Sequence, residues 1–191
     1  MNRCLCRLRP VSWFVLVSLL LIAWSGSVSA ATLVVGTNVN TSRLTNNQSE
    51  AAIAMDPTNP NRLFVFSNTE GNGLFAAYST NAGASWRYTD PSDGTIADGG
   101  DSLPAACCDP SATWDRFGNL FISYVNANLD AVVVLISTNG GVSFGPQASL
   151  GMGHDVDQPT IVASLGSAPP SVWITYKDFN LSGTPIVAHG A

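Results

Sequence analysis

The chain has 191 residues, 46% of them hydrophobic and 11% charged, with a formal net charge of −5. That length is ample for one domain with a sizeable core, and 17 Gly with 11 Pro exclude a coiled coil or a helical bundle. The acidic balance excludes the basic footprint that sequence-independent nucleic-acid binding requires.

Residues 1–30 have the layout of a secretory signal peptide. Arg3, Arg7 and Arg9 form a positive start, residues 13–24 are apolar, and Ser25-Gly26-Ser27-Val28-Ser29-Ala30 supplies the small residues of a cleavage site. The apolar run is shorter than the roughly 18–20 residues of a bilayer span, so cleavage before Ala31 is expected. The expected location is then secreted, extracellular or periplasmic, with no membrane span after cleavage. Removal of the leader leaves five basic residues against all 13 acidic ones, and residues 31–191 carry a net charge near −8. Cys107 and Cys108 are then the remaining cysteines.

A repeat organises residues 31–191. Ser79-Thr80-Asn81-Ala82-Gly83-Ala84-Ser85-Trp86 recurs as Ser137-Thr138-Asn139-Gly140-Gly141-Val142-Ser143-Phe144. Each copy is preceded by the same parts. A short apolar strand (residues 51–55 or 111–114) leads into a turn, Asp56-Pro57-Thr58-Asn59-Pro60-Asn61 or Asp115-Arg116-Phe117-Gly118-Asn119. Two β-rich runs follow, at 63–66 and 74–78 or at 120–125 and 131–136. A third copy starts at Pro159 and continues through Val172-Trp173-Ile174-Thr175-Tyr176. The spacing predicts four-stranded antiparallel meanders over about 48–90, 107–146 and 157–191, the last incomplete. Such repeated units suggest propeller blades, with a β-sandwich as the alternative.

The two octapeptides resemble the Asp-boxes (BNR repeats) of sialidase-like β-propellers, with Asn81 and Asn139 where that family has Asp. The resemblance covers about residues 48–191 and implies an all-β fold, two to three blades of a six-bladed propeller. Within each box it marks Ser79, Asn81, Gly83 and Trp86, and Ser137, Asn139, Gly141 and Phe144, as structural. The third-position amide can bond turn amides, and the glycines permit positive φ. A family member has more blades than this chain holds. The expectation is therefore a partial or truncated gene product, the alternative being a small protein that closes by self-association through its open blade edges.

Strand parity places the Asp-box turns on one face. Residues 69–73, 127–130 and two long crossings, 90–109 and 145–158, fall on the other. The crossings hold many acids, and Asp93, Asp98 and Asp101 are the candidate Ca²⁺ ligands, since a hard cation wants several loop oxygens; the alternative is a solvated acidic loop. No cofactor is required. Glu50, Asp109 and Gln158, with Asp157 beside it, occupy equivalent positions where the innermost strands begin. Glu50, Asp101, Asp109 and Asp157 are the candidate ligand-facing residues, with turn capping as the competing role. Cys107-Cys108 reads as a vicinal disulfide, as two reduced thiols, or as thiolates completing a metal site with His154.

The resemblance also implies what catalysis would need: an arginine cluster, a Tyr–Glu nucleophile pair and an Asp acid/base. The family's Phe/Tyr-Arg-Ile-Pro motif is absent, Arg43 precedes the first blade, and Arg62, Arg87 and Arg116 fall beside turns. Catalytic residues are left unassigned. The expectation is an exported sialidase-like propeller segment, non-catalytic on its own, that binds a glycan or an extracellular protein. The alternative is the N-terminal part of a secreted exo-sialidase or related glycoside hydrolase.

Overall fold

The computed structural model describes residues 34–166, 171–182 and 186–190; the expected signal peptide lies outside them. The chain divides into Met1–Asn38 and Val39–Ala191, and of the first unit residues 34–38 are exposed and without regular structure. Among the described residues all regular structure is β, and no helix is long and apolar enough to cross a membrane.

The second unit holds three antiparallel sheets, each made from consecutive strands. The first pairs β1 (Ser49–Met55), β2 (Leu63–Asn68), β3 (Leu74–Ser79) and β4 (Arg87–Tyr88), with β5 (Thr95–Ile96) continuing alongside β3. The second pairs β6 (Ala106–Trp114), β7 (Leu120–Asn126), β8 (Val132–Ser137) and β9 (Gly145–Leu150), and the third β10 (Val156–Ala163), β11 (Val172–Asp178) and β12 (Ile186–Gly190). β6 lies between β1 and β10, so the first strands of the sheets are neighbours. The sheets stack as successive blades of a partial propeller.

The seams between sheets are the core. The first buries Ala54, Phe64 and Phe66 against Trp114, Ile122, Tyr124 and Leu135; the second buries Val125, Val132 and Val134 against Val156, Ile161, Ile174 and Tyr176. Alternation explains the division: Ile122 and Tyr124 of β7 point to the first sheet, Phe121 and Val125 to the third. A sheet buried on both faces needs apolar residues at successive positions, which is why Val132-Val133-Val134-Leu135 reads as a continuous run.

The turns after β1 and β6 are closed by buried aspartates. Asp56 Oδ1 accepts from the Thr58 N–H at 2.8 Å, and Asp115 Oδ1 from the N–H groups of Phe117 and Asn119 at 2.8 and 2.9 Å. The two Ser-x-Asn-x-Gly turns are alike bond for bond. Ser79 Oγ accepts from the Gly83 N–H and donates to Asn81 Oδ1, which also accepts from the Ser85 N–H. Ser137, Asn139, Gly141 and Ser143 repeat the set.

The crossings are shorter than the sequence suggests. The edge of the first sheet resumes at β5, so Asp90 and Asp93 lie in a turn within that edge and the crossing proper is 97–105. β9 is likewise an edge strand, which shortens the second crossing to 151–155. Edge strands need no apolar alternation, and they tolerate a proline such as Pro146, so neither carries a strand signal in its composition.

Candidate functional site

The three innermost strands begin with the same irregularity. Their pairing register shifts between Ser49 and Ala52, between Cys108 and Ser111, and between Asp157 and Thr160. In each bulge one non-glycine residue is left-handed: Glu50 (φ 53°), Asp109 (φ 59°) and Gln158 (φ 52°). A bulge re-aims a side chain, and the left-handed backbone costs an L-residue about 1–2 kcal/mol. Bonds between sheets offset that cost. The Asp109 N–H donates to Glu50 Oε2 and the Gln158 N–H to Asp109 Oδ2, each at 3.2 Å. Asn68 Nδ2 donates to the same Glu50 oxygen at 2.7 Å.

Electrostatics separate the two carboxyls. Burial first, then the hydrogen bond with Glu50, pushes Asp109 up to about 7, and the neighbouring Asp157 adds to the rise while the Gln158 N–H opposes it. The bond to Asp109 holds Glu50 below the usual glutamate range, helped by Asn68 and the Asp109 N–H. Asp109 therefore keeps its proton to higher pH than an ordinary aspartate, while Glu50 beside it ionises first. Glu50, Asp109, Pro110, Gln158, Pro159 and Thr160 line an open cavity of about 160 Å³.

Of the candidate ligand-facing residues, Glu50 and Asp109 meet here with Asp157 beside them, and Asp101 does not. Asp101 uses Oδ2 on the Ala97 N–H and Oδ1 on the Leu103 N–H, and it borders a different depression with Thr89, Asp90 and Phe144. Asp93 and Asp98 share a third cavity, of about 360 Å³, with Glu70 and Asn72. Their Oδ1 atoms accept from the N–H groups of Thr95 and Gly100. Among the described residues no group of three or more His, Cys, Asp or Glu is arranged to hold a metal ion. Asp93, Asp98 and Asp101 are thus not brought together.

Cys107 and Cys108 are joined as a disulfide immediately before Asp109. His154 Nδ1 contacts Asp178 Oδ2 at 2.8 Å, and this bond is the main reason that Asp178 lies below its usual range. Two of the arginines, Arg62 and Arg116, are occupied in structure. Arg62 pairs with buried Asp56 at 3.0 Å and lies over the Trp114 ring, 4.9 Å from its centroid, while Arg116 donates to the Gly166 carbonyl. Arg43 borders a cavity with Thr41, Trp86 and Tyr88. Residues that sequence reasoning missed are Asn68, which fixes Glu50, and Ser111 and Thr113, whose hydroxyls accept the N–H groups of Ile161 and Ala163 at 3.1 Å. Their signal was polar residues at alternate positions of an otherwise apolar strand.

The fold thus defines an all-β protein of stacked, propeller-like sheets with a carboxyl-bearing mouth. Among solved structures the chain is similar to the Hadza microbial sialidase Hz136, with a TM-score of 0.38 and 12% identity over 76% of this chain. It spans 43% of that protein's chain. No protein-family model and no curated protein matches the sequence.

Proposed function

We propose that this chain is an exported, sialidase-like propeller segment that is non-catalytic on its own and binds a glycan or an extracellular protein at the mouth formed by Glu50, Asp109 and Gln158. The observation that carries this reading is the hydrogen-bonded Glu50–Asp109 pair opening on a cavity. The cavity is lined by Glu50, Asp109, Pro110, Gln158, Pro159 and Thr160, a lining without the tyrosine and the arginines that sialidase-type catalysis would need beside the carboxyls. A carboxyl, a carboxylate and a carboxamide side by side suit hydroxyl donors and cationic groups, and they disfavour an anionic sugar. Neutral glycans are therefore the preferred ligand class, with basic peptide segments second.

Binding of the full chain to arrays of neutral and sialylated glycans tests the reading. Retention on neutral glycans that is lost in Glu50→Gln/Asp109→Asn is the expected result. Equal retention by that variant, or none by either protein, rejects the mouth as a binding site. The second reading, the N-terminal part of a secreted exo-sialidase or related glycoside hydrolase, draws on Asp109, a carboxyl pushed up to about 7, in the direction that a general acid requires. Release of sialic acid from a fluorogenic substrate by this chain would favour it.

A further inference from the structure

The two internal seams share one bond at the bulges, and each adds a contact of its own. At the innermost strands a bulge N–H donates to the preceding sheet's side chain, Asp109 to Glu50 and Gln158 to Asp109. Further along, Ser111 and Thr113 of β6 accept from the Ile161 and Ala163 N–H groups of β10. At the turns, Phe144 of the second sheet lies edge-on to Phe64 of the first, ring centroids 5.3 Å apart. Phe64 is fully buried by this packing.

The two outer faces carry the unmatched halves of these contacts. By strand register, the third sheet presents Gln158, Thr160, Val162 and Trp173 where the second presents Asp109, Ser111, Thr113 and Phe121. Val162 is 58% and Trp173 51% exposed. The first sheet presents Glu50, Ile53 and Met55 where the third has Gln158, Ile161 and Ala163, with Ile53 64% and Met55 55% exposed. Trp86 stands in the place of Phe144. One end offers a side-chain amide, a hydroxyl and an aromatic platform; the other offers main-chain donors and an aromatic to lay on that platform.

We propose that this chain self-associates head to tail, the outer face of the third sheet of one copy receiving the outer face of the first sheet of a second copy. In this seam Gln158 and Thr160 accept from the main chain of Glu50 and Ile53, and Trp173 packs against Trp86. The contact covers the exposed apolar residues Ile53, Met55, Val162 and Trp173. Because it joins unlike surfaces, it closes into a ring or propagates.

Sedimentation velocity on the full chain, on Ile53→Glu, on Trp173→Glu and on their equimolar mixture tests this. The wild type is expected at twice the monomer mass or more, and each variant alone as a monomer whose self-association is at least about tenfold weaker. The mixture is expected to recover a one-to-one dimer, because one variant keeps an intact third-sheet face and the other an intact first-sheet face. A monomeric wild type overturns the proposal. So does a dimer kept by one variant alone, which would mean that like faces pair, or a mixture of folded variants that stays monomeric. Should Trp173→Glu fail to fold by circular dichroism, Val162→Glu blocks the same face.

Discussion

The Asp109 main-chain N–H reaches Glu50 Oε2 across the seam between the first two sheets, while the Asp109 carboxyl accepts the Gln158 N–H from the third. One residue thus belongs to both seams, as donor on one side and acceptor on the other. Its left-handed backbone makes this possible, since it turns the N–H out of the β6–β7 ladder toward the neighbouring sheet.

Stability should carry the signature of the Asp109 proton. The folded protein holds it up to about pH 7, whereas at its ordinary value of 3.8 an unfolded aspartate has released it. The contribution of Asp109 is therefore fully present below about pH 4 and is lost as pH rises through 7. Glu50, held low, acts in the opposite sense: its contribution is present above its ordinary value of 4.5 and is lost as pH falls through the folded value. Asp109→Asn keeps an oxygen for the Gln158 N–H and removes the titration. Thermal melts from pH 4 to 8 should show the wild type losing ground to Asp109→Asn across this window. Parallel curves would disprove the raised Asp109.

The hydroxyls of β6 should matter in proportion to the N–H groups they satisfy. Ser111→Ala leaves the Ile161 N–H, and Thr113→Val the Ala163 N–H, without its side-chain acceptor at a partly buried seam. Each is expected to cost about 1 kcal/mol in urea unfolding. Thr113→Ser, which keeps the acceptor, should cost less than Thr113→Val.

The glycines of the two repeated turns should differ despite identical local bonding. A Cβ at Gly83 (φ 82°) meets Leu63 and Trp86 only at ordinary contact, 3.4 and 3.6 Å. At Gly141 (φ 91°) it falls 2.6 Å from the Phe64 ring, whose neighbours leave it no room to retreat. Gly83→Ala is expected to cost about 1–2 kcal/mol for the left-handed backbone alone. Gly141→Ala adds about 1–3 kcal/mol of overpacking. Equal losses in denaturant melts would contradict this packing.

How legible these features were depends on where their information resides. The Ser79 and Ser137 turns are closed by their own side chains within a few residues, so the octapeptides display them. The equivalence of Glu50, Asp109 and Gln158 follows from the repeat, but their left-handed backbone does not: none is glycine, and the stabilising bonds come from another sheet. Asp93, Asp98 and Asp101 look alike in composition yet serve separate turns, since each bonds its own nearby amides first. β5 and β9 were hidden because an edge strand is defined by a partner's main chain rather than by its own side chains. The exposure of Ile53 and Trp173 was not legible residue by residue, because their alternation is that of ordinary core strands.

The Cys107–Cys108 disulfide should be nearly silent in global stability and audible at Asp109. Cross-links stabilise chiefly through the loop that they close in the unfolded chain, and adjacent cysteines close almost none. The bond instead constrains the peptide that enters the bulge at Asp109, where Cys108 lies opposite Val125 and packs against the core of the second seam. Cys107→Ser/Cys108→Ser should therefore melt within a few degrees of the wild type, while the Asp109 carboxyl resonance, followed by NMR against pH, moves from about 7 toward the ordinary value. A large fall in melting temperature with an unmoved Asp109 titration would show that the disulfide supports the core rather than the mouth.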